Sequence, residues 1–146
     1  MTTSLVAGYG TLAGQGILFV VPEHTRPRTR RIFAGRISQY QTGAVQKFYD
    51  LQGNVILVKR DKDDRGRDVF KAFSSTCPHL GCKVIWQQKH KRFFCPCHMG
   101  VFDKDGVATA GPPAAAGQKL TPVPVVADPE SGVVYLEVKE AKKPLT

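Results

Sequence analysis

Every cysteine of this chain lies in two short loops. The first reads Cys77-Pro78-His79-Leu80-Gly81-Cys82, the second Cys95-Pro96-Cys97-His98. Each loop carries two Cys and one His, and residues 83–94 separate them. If that stretch forms a hairpin, both loops arrive at a common point. The fold must therefore present two Cys/His loops side by side.

Three chemistries suit such loops. Structural zinc takes four ligands, commonly at C-x₂₋₄-C spacing; here six candidates sit at C-x-H-x-x-C and C-x-C-H, so two would be surplus. Two disulfides use all four Cys, in any of three connectivities, and leave a His in each loop unexplained. An iron–sulfur cluster with two Cys on one iron and two His on the other uses one Cys and one His from each loop. It leaves one Cys per loop to pair, and so accounts for all six residues.

The rest of the chain is consistent with small sheets. At 146 residues it is long enough for one domain and a short appendage. Its 14 Gly and 10 Pro favour an all-β, loop-rich fold over a helical bundle. Period-two runs predict strands at 32–36, 45–50, 54–59, 69–74, 83–87, 92–94, 119–126 and 133–139. Leu51-Gln52-Gly53 is the expected turn of a hairpin, and 60–67 a polar loop tip. In the last run Val134, Leu136 and Val138 share one face. Residues 107–118, with Gly111-Pro112-Pro113, read as a rigid loop with little room for a strand. The expectation is an all-β fold of small antiparallel sheets.

Lys and Arg number 21 against 12 Asp and Glu, a net charge of +9. The basic residues fall in three knots, near 26–31, 59–67 and 89–92, without the interleaved aromatics of a single-strand platform. Nucleic-acid binding is not expected. An acidic electron-transfer partner suits the charge if a redox centre is present. Residues 4–21 contain no charge, close to the roughly 20 residues that span a bilayer. This predicts an N-terminal transmembrane helix, weakened by Gly8, Gly10, Gly14, Gln15 and Gly16.

The boxes C-P-H-L-G-C and C-P-C-H resemble the two ligand boxes of the Rieske [2Fe–2S] proteins, over residues 31–140. That resemblance implies one [2Fe–2S] cluster. Cys77 and Cys95 would hold the inner iron, His79 and His98 the outer one, and Cys82 and Cys97 would form a disulfide. Gly111-Pro112-Pro113 matches the family's proline loop. The two extra Cys, Leu80 and the proline loop are similar to the cytochrome bc and b6f type, in which Leu80, Pro112 and Pro113 would form a docking tip. The implied organisation is a membrane anchor at 1–22, a hinge at 23–31, a Rieske domain at 32–140 with its cluster-binding part at about 76–115, and a tail at 141–146.

In that type, the implied function is the iron–sulfur subunit of a quinol:cytochrome c oxidoreductase. The chain would not be catalytic alone. His98 would accept a hydrogen bond and then a proton from quinol. The partners would be a cytochrome b-type subunit, a c-type cytochrome and the membrane. The disulfide favours the outer, oxidising face, against the positive-inside tendency of Arg26, Arg28, Arg30 and Arg31. High-potential members continue the second box with Gly-Ser and then a Tyr; this chain has Met99, Gly100 and Phe102. Two hydroxyls are thus missing, which implies a lowered potential suited to menaquinol. Met99 and Phe102 also read as apolar packing around the loop. The alternative is the small Rieske subunit of an arsenite-oxidase-like molybdenum enzyme, whose second box often carries a bulky residue after the His. His90 is expected at an exposed hairpin tip and His24 in the tether.

Overall fold

The computed structural model describes residues 2–20 and 29–139. One helix, α1, covers Thr2–Val20. Eleven strands and a short helix follow. They are β1 (Thr29–Arg36), β2 (Val45–Tyr49), β3 (Val55–Lys62), β4 (Asp68–Ser74), β5 (Ile85–Gln87), β6 (Arg92–Cys95), β7 (Gly100–Phe102), β8 (Ala108–Ala110), α2 (Pro112–Ala115), β9 (Pro122–Val123), β10 (Val125–Asp128) and β11 (Val133–Lys139). Three antiparallel sheets result, ordered β1-β11-β10, β2-β3-β4-β9 and β5-β6-β7-β8.

The hydrophobic run Val55-Ile56-Leu57-Val58 explains how the sheets are joined. A strand covered on both faces reads as continuous apolar residues rather than as an alternation. Ile56 and Val58 enter one core with Ala34, Tyr40, Ala72, Val134, Leu136 and Val138, between the first two sheets. Leu57 points the other way, into a second core with Phe73, Val84, Phe93, Phe102, Leu120, Cys77 and Cys95. Phe73 meets Phe93 edge-on at 5.5 Å between ring centroids. The four-stranded sheet of β5–β8 is thus seated on β3 and β4 by its own aromatic side chains. Lys59 shares this second direction: it is buried, 2.7 Å from Asp61 and 4.9 Å from the centre of the Trp86 ring. Its charge is compensated by both partners, as burial of an ammonium requires.

Several expectations are corrected. The Val107–Gln118 stretch holds a strand (β8) and a helical turn (α2) rather than loop alone. The run at 119–126 is broken by Pro124 into β9 and β10, which lie in different sheets. The polar tip at 60–67 is shorter than expected, because β3 continues to Lys62 and β4 resumes at Asp68. Arg60 pairs with Asp68 across that extension at 2.6 Å and donates to the carbonyls of Ile37 and Tyr40.

The transmembrane expectation for 1–22 is not supported. The uncharged segment does form a helix, but among the described residues no helix is long and apolar enough to cross a membrane. Gly8, Gly10, Gly14, Gly16 and Gln15 hold down the mean hydropathy of the segment. Most of the expected hinge, and the tail at 141–146, lie outside the described residues; 29–31 belong to β1.

Two predictions follow from the packing. The buried Tyr40 hydroxyl donates to the Ala34 carbonyl at 2.7 Å, and burial pushes its pKa up to about 12. Tyr40→Phe leaves that carbonyl without its side-chain donor, so urea unfolding should show a loss of about 1–3 kcal/mol. Lys71 on β4 pairs with Asp105 in the turn between β7 and β8. The Lys71 ammonium, more than any opposing burial, holds the Asp105 carboxyl below its ordinary range. A lowered carboxyl contributes stability above its unfolded pKa of about 3.9 and loses it as pH falls through the folded value. Asp105→Asn should therefore lower the unfolding midpoint at pH 7, and the gap to the native chain should close in acid, below about pH 4.

Candidate metal centre

Both Cys/His loops are turns at one end of the β5–β8 sheet. The first leaves β4 and enters β5. The Cys77 amide donates to the Cys82 carbonyl at 2.7 Å and the Gly81 amide to the Cys77 carbonyl at 2.9 Å, which closes the loop on itself. Gly81 has φ +78°, and a Cβ there would meet nothing within 4 Å. Glycine is required there by the left-handed backbone and not by crowding. The second loop is the hairpin between β6 and β7, closed by the Cys95–Gly100 pair. The hairpin of β5 and β6, with Ile85 opposite Phe94, brings the two loops together.

The six residues then divide by chemistry. Cys82 and Cys97 are joined in a disulfide, with Cα atoms 6.5 Å apart. Cys77 and Cys95 are free thiols, buried side by side within hydrogen-bonding reach. Burial pushes the Cys77 thiol up; the amides of His79 and Leu80, directed at its sulfur, act in the opposite sense. His79 and His98 stand edge to face, 4.9 Å between ring centroids. His79 is half-buried and His98 exposed. The Cys82, Cys95 and Cys97 sulfurs lie within 4.8 Å of one another. Two of these are spent in the disulfide, so that trio is a thiol beside a disulfide and not a ligand set.

One free thiol and one imidazole thus come from each loop. Two adjacent buried sulfurs, with amide donors aimed at one of them, suit thiolate ligation. Two facing imidazoles on the outer side suit a second iron. The donor set fits a [2Fe–2S] cluster. It does not fit two structural disulfides, because only one forms.

The proline loop closes the third side. Gly111 has φ +78°, and a Cβ there would come 2.9 Å from the Met99 carbonyl oxygen and 3.1 Å from Gly100 Cα. A Cβ at Gly100 would lie 3.1 Å from Pro113 Cγ. The two segments touch backbone to backbone. Leu80 and Pro112 are exposed. Pro113 is buried: its ring packs on Gly100, so it lies beneath the loop and not at its surface. Phe102 is fully buried in the second core, consistent with packing, whereas Met99 is 65% exposed and packs against nothing comparable.

Gln118 is a contributor that the sequence did not flag. Its amide donates to the Pro113 carbonyl at 2.9 Å, and its side-chain Nε2 lies 3.4 Å from the Pro78 carbonyl, linking the proline loop to the first Cys/His loop. A lone Gln after a loop carries no motif; only the three-dimensional path of the chain reveals it. His90 lies on the exposed turn between β5 and β6, as expected. His24 lies outside the described residues.

Sheets carrying two Cys/His loops tied by a disulfide and capped by a proline turn define a metal-binding electron-transfer domain. The Rieske [2Fe-2S] domain family profile matches residues 30–127, and the chain belongs to that family, whose domain binds a single [2Fe–2S] cluster. The menaquinol:cytochrome c reductase iron–sulfur subunit of Bacillus subtilis (strain 168) is 46% identical over 52 residues, 34% of this chain and 31% of that protein. The cytochrome b6-f complex iron–sulfur subunit of Chlorobaculum thiosulfatiphilum is 28% identical over 114 residues, 74% of this chain and 60% of that protein. The chain thus spans between 31% and 60% of the length of these two relatives. The plasma membrane Rieske protein PetC3 from Synechocystis PCC 6803 shares the fold, with TM-score 0.59 at 21% identity over 73% of this chain and 99% of that one.

The disulfide closes a loop with a sequence separation of 15. For a loop of about that length the chain-entropy estimate is about 3 kcal/mol. The double variant Cys82→Ser/Cys97→Ser should lose about that much in denaturant unfolding.

Proposed function

We propose that this chain is the Rieske iron–sulfur subunit of a bc-type quinol:cytochrome c oxidoreductase. Cys77 and Cys95 hold the inner iron, and His79 and His98 the outer. The observation that carries this reading is the pairing of a half-buried and an exposed imidazole beside two buried free thiols, locked by the Cys82–Cys97 disulfide. A bound [2Fe–2S] cluster supplies a one-electron acceptor for quinol and donor to a c-type cytochrome. His98 offers its ring to the quinol hydroxyl and takes its proton. Leu80 and Pro112 present apolar surface to the cytochrome b-type subunit.

Menaquinol is the favoured donor. Gly100 and Phe102 bring no hydroxyl to the site. Fewer donors to the sulfurs favour the oxidised state and lower the potential. Relatives named as menaquinol:cytochrome c reductase subunits agree with this choice. The disulfide favours the oxidising outer face of the membrane. The arsenite-oxidase-like alternative receives no support from the relatives described above.

EPR-monitored redox titration of the loaded protein tests this reading. The midpoint should lie well above about −150 mV and fall as pH rises near neutrality. A midpoint near about −150 mV, unchanged up to about pH 9, would remove the quinol assignment. Phe102→Tyr should raise the midpoint by about 40 mV, the equivalent of one hydrogen bond worth about 1 kcal/mol. Gly100→Ser is the less clean test, because its Cβ would press on Pro113 Cγ at 3.1 Å.

A further inference from the structure

The peptide group between Pro78 and His79 is gripped at both ends. A trans peptide is planar, so its carbonyl oxygen and its N–H point in opposite directions. The N–H belongs to His79 and is directed at the Cys77 sulfur. The carbonyl belongs to Pro78, and Gln118 Nε2 lies 3.4 Å from its oxygen. A side chain from just beyond the proline loop thus holds one end of a group whose other end faces a buried thiol.

Gln118 is fixed for this by its own backbone. Its amide donates to the Pro113 carbonyl at 2.9 Å, and its carbonyl accepts from the Ala108 amide at 3.1 Å. The orientation of the side-chain amide follows from the Pro78 contact. Turning it over would set Oε1 against the Pro78 oxygen, two acceptors face to face. In the observed orientation Oε1 is buried and finds no donor; it and Ser75 Oγ are the two such side-chain atoms among the described residues. A buried acceptor without a donor destabilises the fold, and methionine, of similar length, would avoid it. What the amide contributes here is its N–H end.

We propose that Gln118 is a positioning residue for the redox centre: by donating to the Pro78 carbonyl it orients and polarises the Pro78–His79 peptide, strengthens the His79 N–H bond to the Cys77 sulfur, and raises the reduction potential of the bound cluster. Hydrogen bonds in series polarise and strengthen one another. A donor to a ligand sulfur favours the reduced, more negative cluster over the oxidised one. The link at 3.4 Å is long, so its effect is a fraction of that of a full hydrogen bond. This inference rests on Cys77 being a ligand, as in the reading above.

The test is an EPR-monitored redox titration of the loaded full chain in two variants. Gln118→Met keeps the length and removes the donor; Gln118→Asn keeps the amide and withdraws it by one methylene. In each, the equilibrium constant for reduction should fall about threefold, equal to about 28 mV for a one-electron couple. The thermal midpoint of Gln118→Met should not fall, because the unpaired Oε1 is gone. A bracing role alone would lower the thermal midpoint and leave the potential at its native value. A variant that loads the cluster with the native midpoint overturns the proposal. So does a folded variant that loads no cluster, because Gln118 would then be needed to assemble the site and not to tune it. If the native chain itself takes up no [2Fe–2S] cluster, the ligand reading fails, and this proposal with it.

Discussion

The Cys82–Cys97 disulfide is the constraint on which the metal centre depends. Each Cys/His loop is held by few bonds of its own: two backbone hydrogen bonds close the first, and one hairpin pair closes the second. Neither could fix an imaginary point in space shared with the other. Joining them covalently across a sequence separation of 15 removes that freedom from the unfolded chain. The two free thiols and the two imidazoles then stand together at one end of the sheet.

A second constraint lies beneath. The loops are only as steady as the β5–β8 sheet, whose strands are only three or four residues long. It borrows the far face of β3. Leu57 and Phe73 pack under Phe93 and Phe102, and Lys59 reaches Trp86. Cys77 and Cys95 belong to the same apolar cluster. These two free thiols are thus part of a hydrophobic core, and burial keeps water from them. The outer imidazoles sit where that core ends.

How much of this was legible in the sequence depended on whether the information was local. The two boxes were, because ligand chemistry needs particular residue types at short spacing. The strands at 45–49, 68–74 and 133–139 were, because each alternates or runs apolar over several residues. Strands β7 and β8 were not: Gly100-Val101-Phe102 and Ala108-Thr109-Ala110 are too short to show a period and exist because β6 offers an edge to β7, and β7 in turn to β8. The inward turn of Pro113 was hidden for a similar reason, since it answers to Gly100, thirteen residues away in a different element, and not to its neighbours. The N-terminal segment misled in the opposite direction. Absence of charge is a local signal, but crossing a bilayer requires bulk apolarity, and the glycines withhold it.

Met99 shows where the two kinds of information meet. From the sequence, a methionine after His98 reads as one more apolar residue packed around a loop. The structure denies it the packing and adds a backbone conformation that glycine would take more readily. Phe102, three residues on, is the useful contrast: equally apolar, fully buried, and explained by Phe93 and Leu120 in its own core. An apolar residue that is both exposed and strained has no such explanation inside the chain.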